Sequence, residues 1–356
     1  MTTMDYAKDL EDIVNQVIKE GASDLHLAEG RTPIVRISGN LLPLLRHPVV
    51  TAQAIHGYVN VLVGDANKKL LEQNKDVDFS YSVGETARFR GNVYFRQGKL
   101  SIALRLISSK IRNFDELGLP KILEMFTAKK QGFFLVVGPI GQGKSTTLAA
   151  MIDLINSTRA EHIITIEDPI EYVYESKKSI IDQREVRFDA VDFPSALVSM
   201  LRQDVNVALI GEMRDTQTMA TAVTAAETGH LILSTLHTNN ASQTINRIID
   251  SFPPTQHDQI RMQLAGSLTG VFSQRLIPRI SGGLIPAYEL LIANSAVANL
   301  IREKRVYEIN TVIETSSGEG MIDMNRCLAE LVRAGEITVE NAYQYSPNPR
   351  NLERML

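Results

Sequence analysis

The chain of 356 residues has a single cysteine, Cys327. One cysteine cannot form a disulfide within the chain, and it excludes a zinc site built from four cysteines. No apolar run approaches the roughly 20 residues that a helix needs to cross a bilayer. The first residues, Met1 to Tyr6, have neither a basic stretch nor an apolar core, so no secretory signal is predicted. We therefore expect a cytoplasmic protein.

A strong net charge is also missing. The 37 Lys and Arg residues nearly balance the 41 Asp and Glu residues, and the formal net charge is −4. A nucleic-acid-binding protein would normally carry a basic surplus, so nucleic acid is not predicted as a partner. The length of the chain favours two domains.

The first part of the chain alternates between helix-like and strand-like patterns. Residues 5–20 have apolar residues at helical spacing. Short segments with strand-like alternation follow between residues 24 and 107. The pattern predicts an α+β domain over residues 1–112. Gly118 and Pro120 then interrupt the chain, which predicts a flexible linker over residues 113–119.

Buried strands dominate the pattern after the predicted linker. A continuous apolar run such as 132–137 is typical of a strand that is covered on both faces. Helical periodicity follows over residues 145–155, and further buried strands are predicted at 162–166, 206–210 and 229–235. Alternating strands and helices predict an α/β domain with a mostly parallel sheet over residues 120–356, helix-rich from about residue 285.

A glycine-rich segment joins the first buried strand to its helix. Glycines allow backbone N–H groups to surround phosphates, and the following helix directs its positive end at the same charges. Lys144 adds a cation, expected to be exposed, and the hydroxyl of Ser145 is a ligand for Mg²⁺. A glycine turn without a ligand is the alternative. The segment predicts an ATP site made by Gly138, Pro139, Ile140, Gly141, Gln142, Gly143, Lys144, Ser145 and Thr146.

Acidic residues follow two of the predicted strands, where ligands of such sheets bind. Glu167, Asp168 and Glu171 come after the strand 162–166, and a carboxylate here is expected either to order a magnesium-bound water or to accept a proton from the attacking water. A solvated turn is the alternative there. A Walker B strand typically ends in Asp, but here Gly211 stands at that position and Glu212 follows. We predict that Glu212 binds magnesium through a water molecule.

Two histidines flank the strand predicted at 229–235. His237 ends this strand and is therefore expected to reach the γ-phosphate of ATP, whereas His230 lies at its start. A lone histidine is more often a core residue, but a pair around one strand of a nucleotide-binding fold favours function.

These motifs are similar to those of the type II/IV secretion ATPase superfamily, and within it to those of the retraction ATPases of type IV pili, which drive twitching motility. The resemblance covers nearly the whole chain. It rests on the phosphate loop 138–145, the acidic box 165–171, the atypical Walker B segment 210–215, the histidine box 226–238, and the segments 22–26, 88–90, 245–253 and 274–278.

The resemblance implies a PAS-like N-terminal domain and a RecA-like P-loop ATPase domain with a helical C-terminal end. It implies a homohexamer that uses ATP and Mg²⁺ at the cytoplasmic face of the inner membrane. The ring would meet the membrane only through partners, such as the inner-membrane platform protein of the pilus. By motif position the catalytic residues would be Glu171, Glu212, Lys144, His230, His237, Arg90, Arg105 and Arg96, and the metal-binding residues Ser145, Glu212, Glu167 and Asp168.

The sequence departs from the family pattern at a few positions. Ile140 and Gln142 replace the commoner Thr and Ser, which should be tolerated because backbone groups bind the phosphates. Ala298 stands where the retraction ATPases carry an arginine. Three alternatives remain open: a pilus assembly or type II secretion ATPase, an accessory retraction subunit, and a nucleic-acid motor on the same fold.

Overall fold

The computed structural model describes residues 5–37, 39–84, 87–107 and 110–356, with the side chains of residues 65 and 66 left aside. Its backbone divides into two compact units. The first unit comprises Met1–Lys110 and Glu171–Val173, and the second comprises Ile111–Ile170 and Tyr174–Leu356.

The first unit combines three helices with a six-stranded antiparallel sheet whose strand order is β3-β2-β1-β6-β5-β4. Its elements are α1 (Tyr6–Lys19), β1 (Asp24–Ala28), β2 (Ile34–Ile37), β3 (Asn40–Pro43), α2 (Ala52–Leu62), α3 (Asp65–Asn74), β4 (Asp76–Val83), β5 (Ala87–Arg96) and β6 (Lys99–Ile107).

Alternation along these strands separates a core face from a polar face. Leu25, Phe89 and Leu104 are buried, and they share one core with the apolar stripe of α1. Helix α1 begins where the Asp5 carboxylate accepts the N–H groups of Ala7 and Lys8. The remaining face of the sheet is left to polar side chains, including the predicted arginines.

The second unit surrounds a seven-stranded sheet with helices. Its elements are α4 (Phe114–Leu117), α5 (Glu124–Thr127), β7 (Gly132–Val137), α6 (Lys144–Thr158), β8 (His162–Glu167), β9 (Ile180–Glu185), α7 (Phe193–Met200), β10 (Val207–Ile210), α8 (Thr216–Glu227), β11 (Leu231–Leu236), α9 (Ala241–Asp250), α10 (His257–Ser267), β12 (Leu268–Pro278), β13 (Leu284–Ile292), α11 (Ser295–Arg302), α12 (Ile309–Thr315), α13 (Met324–Arg333), α14 (Val339–Tyr345) and α15 (Pro349–Glu353).

The strand order of this sheet is β13-β12-β7-β11-β10-β8-β9, and only the pairing of β12 with β13 is antiparallel. Strands β7 and β11 are buried along their whole length, as expected for a sheet covered on both faces. The predicted α/β class with a mostly parallel sheet is confirmed. Strand β7 lies between β11 and β12, so the carboxyl end of β7 has a neighbour on each side.

One segment differs in detail from the sequence prediction. The chain was predicted to be helix-rich from about residue 285, but Leu284–Ile292 form β13, and helices begin at Ser295. The pairing of β13 with β12 over nine residues stabilises it as a strand. Residues 113–119, predicted as a linker, contain α4, whose first turn is fixed by reciprocal hydrogen bonds between Asn113 and Glu116.

None of the helices in the ranges given above has the length and apolar character needed to cross a membrane.

Candidate active site

The phosphate loop leaves β7 at Gly138, which has a φ of 151°. A Cβ atom at this position would lie 2.5 Å from the carbonyl oxygen of Gln274 on β12. Only a residue without a side chain fits so close to a neighbouring backbone. The first glycine of the loop therefore allows β12 to approach the end of β7.

Side chains of two glutamines hold the loop against β12. The side-chain amide of Gln274 donates to the carbonyl oxygen of Gln142 at 2.8 Å, and the side-chain oxygen of Gln142 accepts the N–H of Leu276 at 2.7 Å. Gln274 also accepts a hydrogen bond of 2.6 Å from the hydroxyl of Thr147 on α6. Gln142 was expected only to be tolerated, but it contributes to holding the loop in place.

The loop ends at the N-terminus of α6, where Gly143 is the capping residue with a φ of 76°. Within the described residues no side chain caps this helix, whereas Asp192, Asp215 and Asn240 cap α7, α8 and α9. An uncapped helix N-terminus attracts anions because its first N–H groups and its dipole are directed outwards. The geometry suits a phosphate group beside the first turn of α6.

Lys144 is only 7% exposed, although the sequence predicted an exposed lysine. Its ammonium group donates to the carbonyl oxygens of Gly138 and Pro139, both at 2.9 Å. A buried charge requires such partners because it has lost water. The carbonyl groups of the loop therefore draw the lysine inward and fix its position.

His237, just after β11, connects Lys144 to Glu212. Its Nδ1 atom lies 3.2 Å from Nζ of Lys144, and its Nε2 atom lies 3.3 Å from Oε1 of Glu212. Because an ammonium can only donate, Nδ1 accepts from Lys144 and Nε2 carries the proton that faces Glu212. The three side chains form one chain of close polar contacts at the mouth of the loop. These are three of the residues that the sequence predicted for the site.

The carboxylate of Glu212 stays ionised in this setting. Burial favours its neutral form, but a hydrogen bond of 2.8 Å from Arg214 and the positive charges of Arg214 and Lys144 hold its pKa below the ordinary value. Arg214 was not predicted as a site residue. Its position two residues after Glu212 was the only sign of this role in the sequence.

Hydroxyl groups of β11 place His237 beside Glu212. The hydroxyl of Ser234 donates to the carbonyl oxygen of Ile210 at 2.8 Å, and that of Thr235 donates to the carbonyl oxygen of Gly211 at 2.7 Å. Both donors are buried. These bonds join the carboxyl ends of β10 and β11, so the residues that follow the two strands meet.

The acidic residues at the carboxyl end of β8 lie near this cluster. Glu167 is buried and accepts hydrogen bonds from the hydroxyl of Thr165 at 2.7 Å and from the side-chain amide of Gln183 at 3.3 Å. Asp168 lies 3.6 Å from Arg187, and its charge also acts on Arg214. The carboxyl ends of β8 and β10 thus place carboxylates on adjacent strands.

His230 lies apart from this cluster, and Glu171 belongs to the other unit. His230 precedes β11, and its Nδ1 atom lies 3.0 Å from the carbonyl oxygen of Ala225. The strand rises about 3.3 Å per residue, which separates His230 from His237 by about 20 Å. Glu171 is exposed and lies in the short segment that belongs to the first unit.

The predicted arginines lie together on the polar face of the first unit's sheet. Arg90 on β5 is paired with Arg105 on β6, and Arg105 is paired with Asp24 on β1. The Nε atom of Arg105 donates to Asp24 at 2.8 Å, while the Arg105 side chain remains 70% exposed. Arg96 lies on the same face as Arg90, because the two residues are separated by an even number of positions along β5.

The comparisons with known proteins agree with one another. A model of the type II/IV secretion system protein family matches residues 4–319. The type IV pilus retraction ATPase PilT of Pseudomonas aeruginosa is 42% identical over 347 residues, which cover 96% of this chain and 99% of the relative. A twitching motility protein of Neisseria gonorrhoeae is 43% identical over 322 residues, 90% of this chain and 86% of the relative.

A solved structure shows the same likeness in three dimensions. The crystal structure of the pilus retraction motor PilT with bound ADP superposes with a TM-score of 0.90 at 46% identity. The match covers 97% of this chain and 98% of that one. The likeness therefore includes both units.

Proposed function

We propose that this chain, which belongs to the type II/IV secretion system protein family, is an ATP-hydrolysing motor that retracts type IV pili. The observation that carries the proposal is the chain of polar contacts from Lys144 through His237 to Glu212 beside the phosphate loop. The retraction ATPase and the twitching motility protein among the relatives support pilus retraction, rather than pilus assembly, as the work of the motor. The nucleotide in the similar structure supports ATP as the substrate.

The phosphates of ATP are proposed to bind along residues 138–146. Backbone N–H groups of the loop and the positive end of α6 surround them. Lys144 places its charge where the transferred phosphoryl group would carry negative charge. Because two loop carbonyls already orient the lysine, little rearrangement of its side chain is needed.

Glu171 and His237 are proposed to act at the reacting phosphate. Glu171, exposed and therefore open to water, accepts a proton from the attacking water molecule. His237 links Lys144 to Glu212 and so couples the orientation of the cation to that of the carboxylate. For His230 the position of the residue supports a smaller role, in which the imidazole anchors the turn before β11.

The residues around the loop fit a magnesium ion. The hydroxyl of Ser145 and an ionised Glu212 are oxygen donors of the kind that Mg²⁺ prefers. Glu212 would act through a water molecule, with Glu167 and Asp168 on the neighbouring strand. Bound magnesium would neutralise charge on the phosphates during transfer.

The arginine face of the first unit is proposed to serve the γ-phosphate. A guanidinium group stays charged and can form two parallel hydrogen bonds to phosphate oxygens. Arg90 and Arg105 are neighbours on adjacent strands, so one anionic group can be reached by both, with Arg96 as a third member. The pairing of Arg105 with Asp24 gives its guanidinium a defined position.

The proposed organisation follows the family. We assign residues 1–112 to a PAS-like domain, 113–119 to a linker and 120–356 to a RecA-like ATPase domain, and the division of the chain near residue 110 supports the first boundary. The motor would be a homohexamer in the cytoplasm that acts on the platform protein at the inner-membrane base of the pilus. Head-to-tail contacts between identical chains close into such rings.

The test combines biochemistry with a deletion. The purified chain should hydrolyse ATP only with Mg²⁺, and Glu171→Gln should bind ATP without hydrolysing it because an amide cannot take up a proton. Deletion of the gene in its own strain should abolish twitching while surface pili accumulate.

Two outcomes would contradict the proposal. Loss of surface pili in the deletion strain would indicate an assembly motor instead. Full hydrolysis by Glu171→Gln would remove Glu171 from the reaction. Complementation with the parent gene is the control for the deletion.

A further inference from the structure

The short segment between His237 and helix α9 is fixed by side chains that the proposed hydrolysis does not use. Thr238 bonds Thr244 on α9, with 2.6 Å between the two hydroxyl oxygens. Asn239 and Ala241 are bound by charged side chains from β12 and β13. The stretch of chain that directly follows His237 is therefore anchored by side chains.

Arg275 on β12 holds Asn239. One nitrogen of its guanidinium donates to the side-chain oxygen of Asn239 at 3.0 Å and to the carbonyl oxygen of the same residue at 3.3 Å. The other terminal nitrogen donates to the carbonyl oxygen of Gln274 at 2.9 Å. A planar guanidinium can make these bonds at once, whereas an ammonium cannot reproduce their geometry.

The same guanidinium lies against the phosphate loop. A Cβ atom at Gly138 would be 3.3 Å from Nη1 of Arg275 and 2.5 Å from the Gln274 oxygen that this nitrogen binds. Arg275 thus lies next to the first residue of the loop and also holds the segment that follows His237.

Glu289 on β13 binds the start of α9. Its Oε1 atom accepts the N–H of Ala241 at 2.8 Å, while Asn240 caps the same helix by accepting the N–H of Gln243. A carboxylate at a helix N-terminus is favoured by the helix dipole. Burial nevertheless raises the pKa of Glu289 to about 7, and the nearby charge of Arg275 opposes this rise. A carboxyl group that is costly to ionise is thus kept at this helix start.

We propose that Arg275 and Glu289 are positioning residues that hold the segment after His237 against the phosphate loop. Through this segment they set the distances from His237 to Lys144 and to Glu212. The inference rests on the proposed ATP hydrolysis at this loop, since the positioning matters for that reaction.

Steady-state hydrolysis by the full-length chain provides the first measurement. Arg275→Ala and Glu289→Ala should each lower kcat by about 10-fold to 100-fold, the cost of a small misplacement in a reacting site. The KM for ATP should change much less, because the bonds from Gln142 of the phosphate loop to Gln274 and Leu276 of β12 remain. Glu289→Gln retains an acceptor oxygen for Ala241 and should restore most of kcat.

The matched control is Arg279→Ala. Arg279 directly follows β12 and pairs with Glu336, away from the segment after His237. Its loss removes an arginine of the same size together with its ion pair to Glu336, and should leave kcat unchanged. Asn239→Ala offers a milder variant in case the other two fail to fold, because Asn239 is exposed; it should lower kcat in the same direction by a smaller factor.

A second measurement needs no turnover. Diethyl pyrocarbonate modifies accessible imidazoles, and mass spectrometry can follow His237 against the exposed His56 in the first unit as an internal reference. His237 should react faster in Arg275→Ala and Glu289→Ala than in the parent, while His56 should not change.

The outcomes separate the two proposals. A parent chain without ATP hydrolysis would refute the proposed function, whereas the reactivity of His237 would still test the positioning. Parent-like kcat together with parent-like His237 reactivity in folded Arg275→Ala and Glu289→Ala would overturn the inference and leave the ATPase proposal intact.

Discussion

The phosphate loop of the second unit and the arginine face of the first are built in opposite ways. The loop is defined by backbone geometry, and its one cation is buried and held by two carbonyl oxygens. The arginine face consists of long side chains on a regular sheet, and Arg105 is largely exposed even though it binds Asp24. In one region the cation is enclosed by the backbone, and in the other the charges stand on long side chains at the surface of a sheet.

This difference shows how each region depends on its residues. At the buried loop positions Gly138 and Lys144, a substitution changes a tightly packed arrangement and affects its neighbours as well. On the arginine face, a substitution removes one exposed group and leaves the sheet intact, so that lost function can be separated from lost folding. Variants in the two regions should therefore differ in what else they disturb.

The largest effect is expected at Lys144. Lys144→Ala should lower the rate of ATP hydrolysis by about 10³-fold or more, because it removes the cation beside the transferred phosphoryl group. It should also lower thermal stability measurably, since the lysine is buried. Hydrolysis and thermal unfolding of the same preparation check both parts.

Lys130→Ala is the control for this change, because Lys130 is exposed and lies before the opposite end of β7. Parent-like hydrolysis by a folded Lys144→Ala protein would contradict the assignment of the phosphate loop.

A large effect with only a small loss of stability would sharpen the comparison at Arg105. Arg105→Ala should reduce turnover by about 10³-fold, the low end for arginines that stabilise phosphoryl transfer. Affinity for ADP, which lacks the γ-phosphate, should change little. Lys99→Ala, which removes another cation from the same sheet face, should retain full turnover. Equal rates for the parent, Arg105→Ala and Lys99→Ala would reduce the arginine face to an ordinary solvated surface.

The smallest effect concerns Asp24. Burial opposes its ionisation, but hydrogen bonds from Ser23 and Arg105 hold its pKa below the ordinary value. The folded state therefore gains stability above that value and loses it as the pH falls through the lowered pKa. Asp24→Asn should cost about 1 kcal/mol in the free energy of unfolding at pH 7, the scale of a partly exposed ion pair. Urea titrations at pH 7 and pH 3 should show this gap closing; an equal gap at both values would contradict the assignment.

Much of the site could be predicted because it depends on local sequence. A glycine-rich segment between an apolar strand and a helix specifies the loop, and Glu212 and His237 follow strands that are recognisable from their apolar residues. In a parallel sheet the carboxyl ends of the strands share one edge, so residues placed after them meet there.

The remaining features depend on contacts that no local pattern records. Gln274 and Arg275 act because β12 pairs with β7, and the sequence has no sign of that pairing. Lys144 is buried because loop carbonyls turn towards it. His230 and His237 both flank a predicted strand, so the sequence does not distinguish them, yet β11 places them at its opposite ends. Glu171 could be predicted as an acidic residue, but its surroundings could not.

The strand order also has a consequence for how the chain folds. Strand β7 pairs with β12, so the phosphate loop receives its support from residues more than a hundred positions later in the sequence. Contacts of such long sequence separation form late, because a long stretch of chain must be ordered first. A nascent chain on the ribosome carries the loop well before Gln274 and Leu276 have been made. The nucleotide site is thus completed only when most of the second unit has been synthesised.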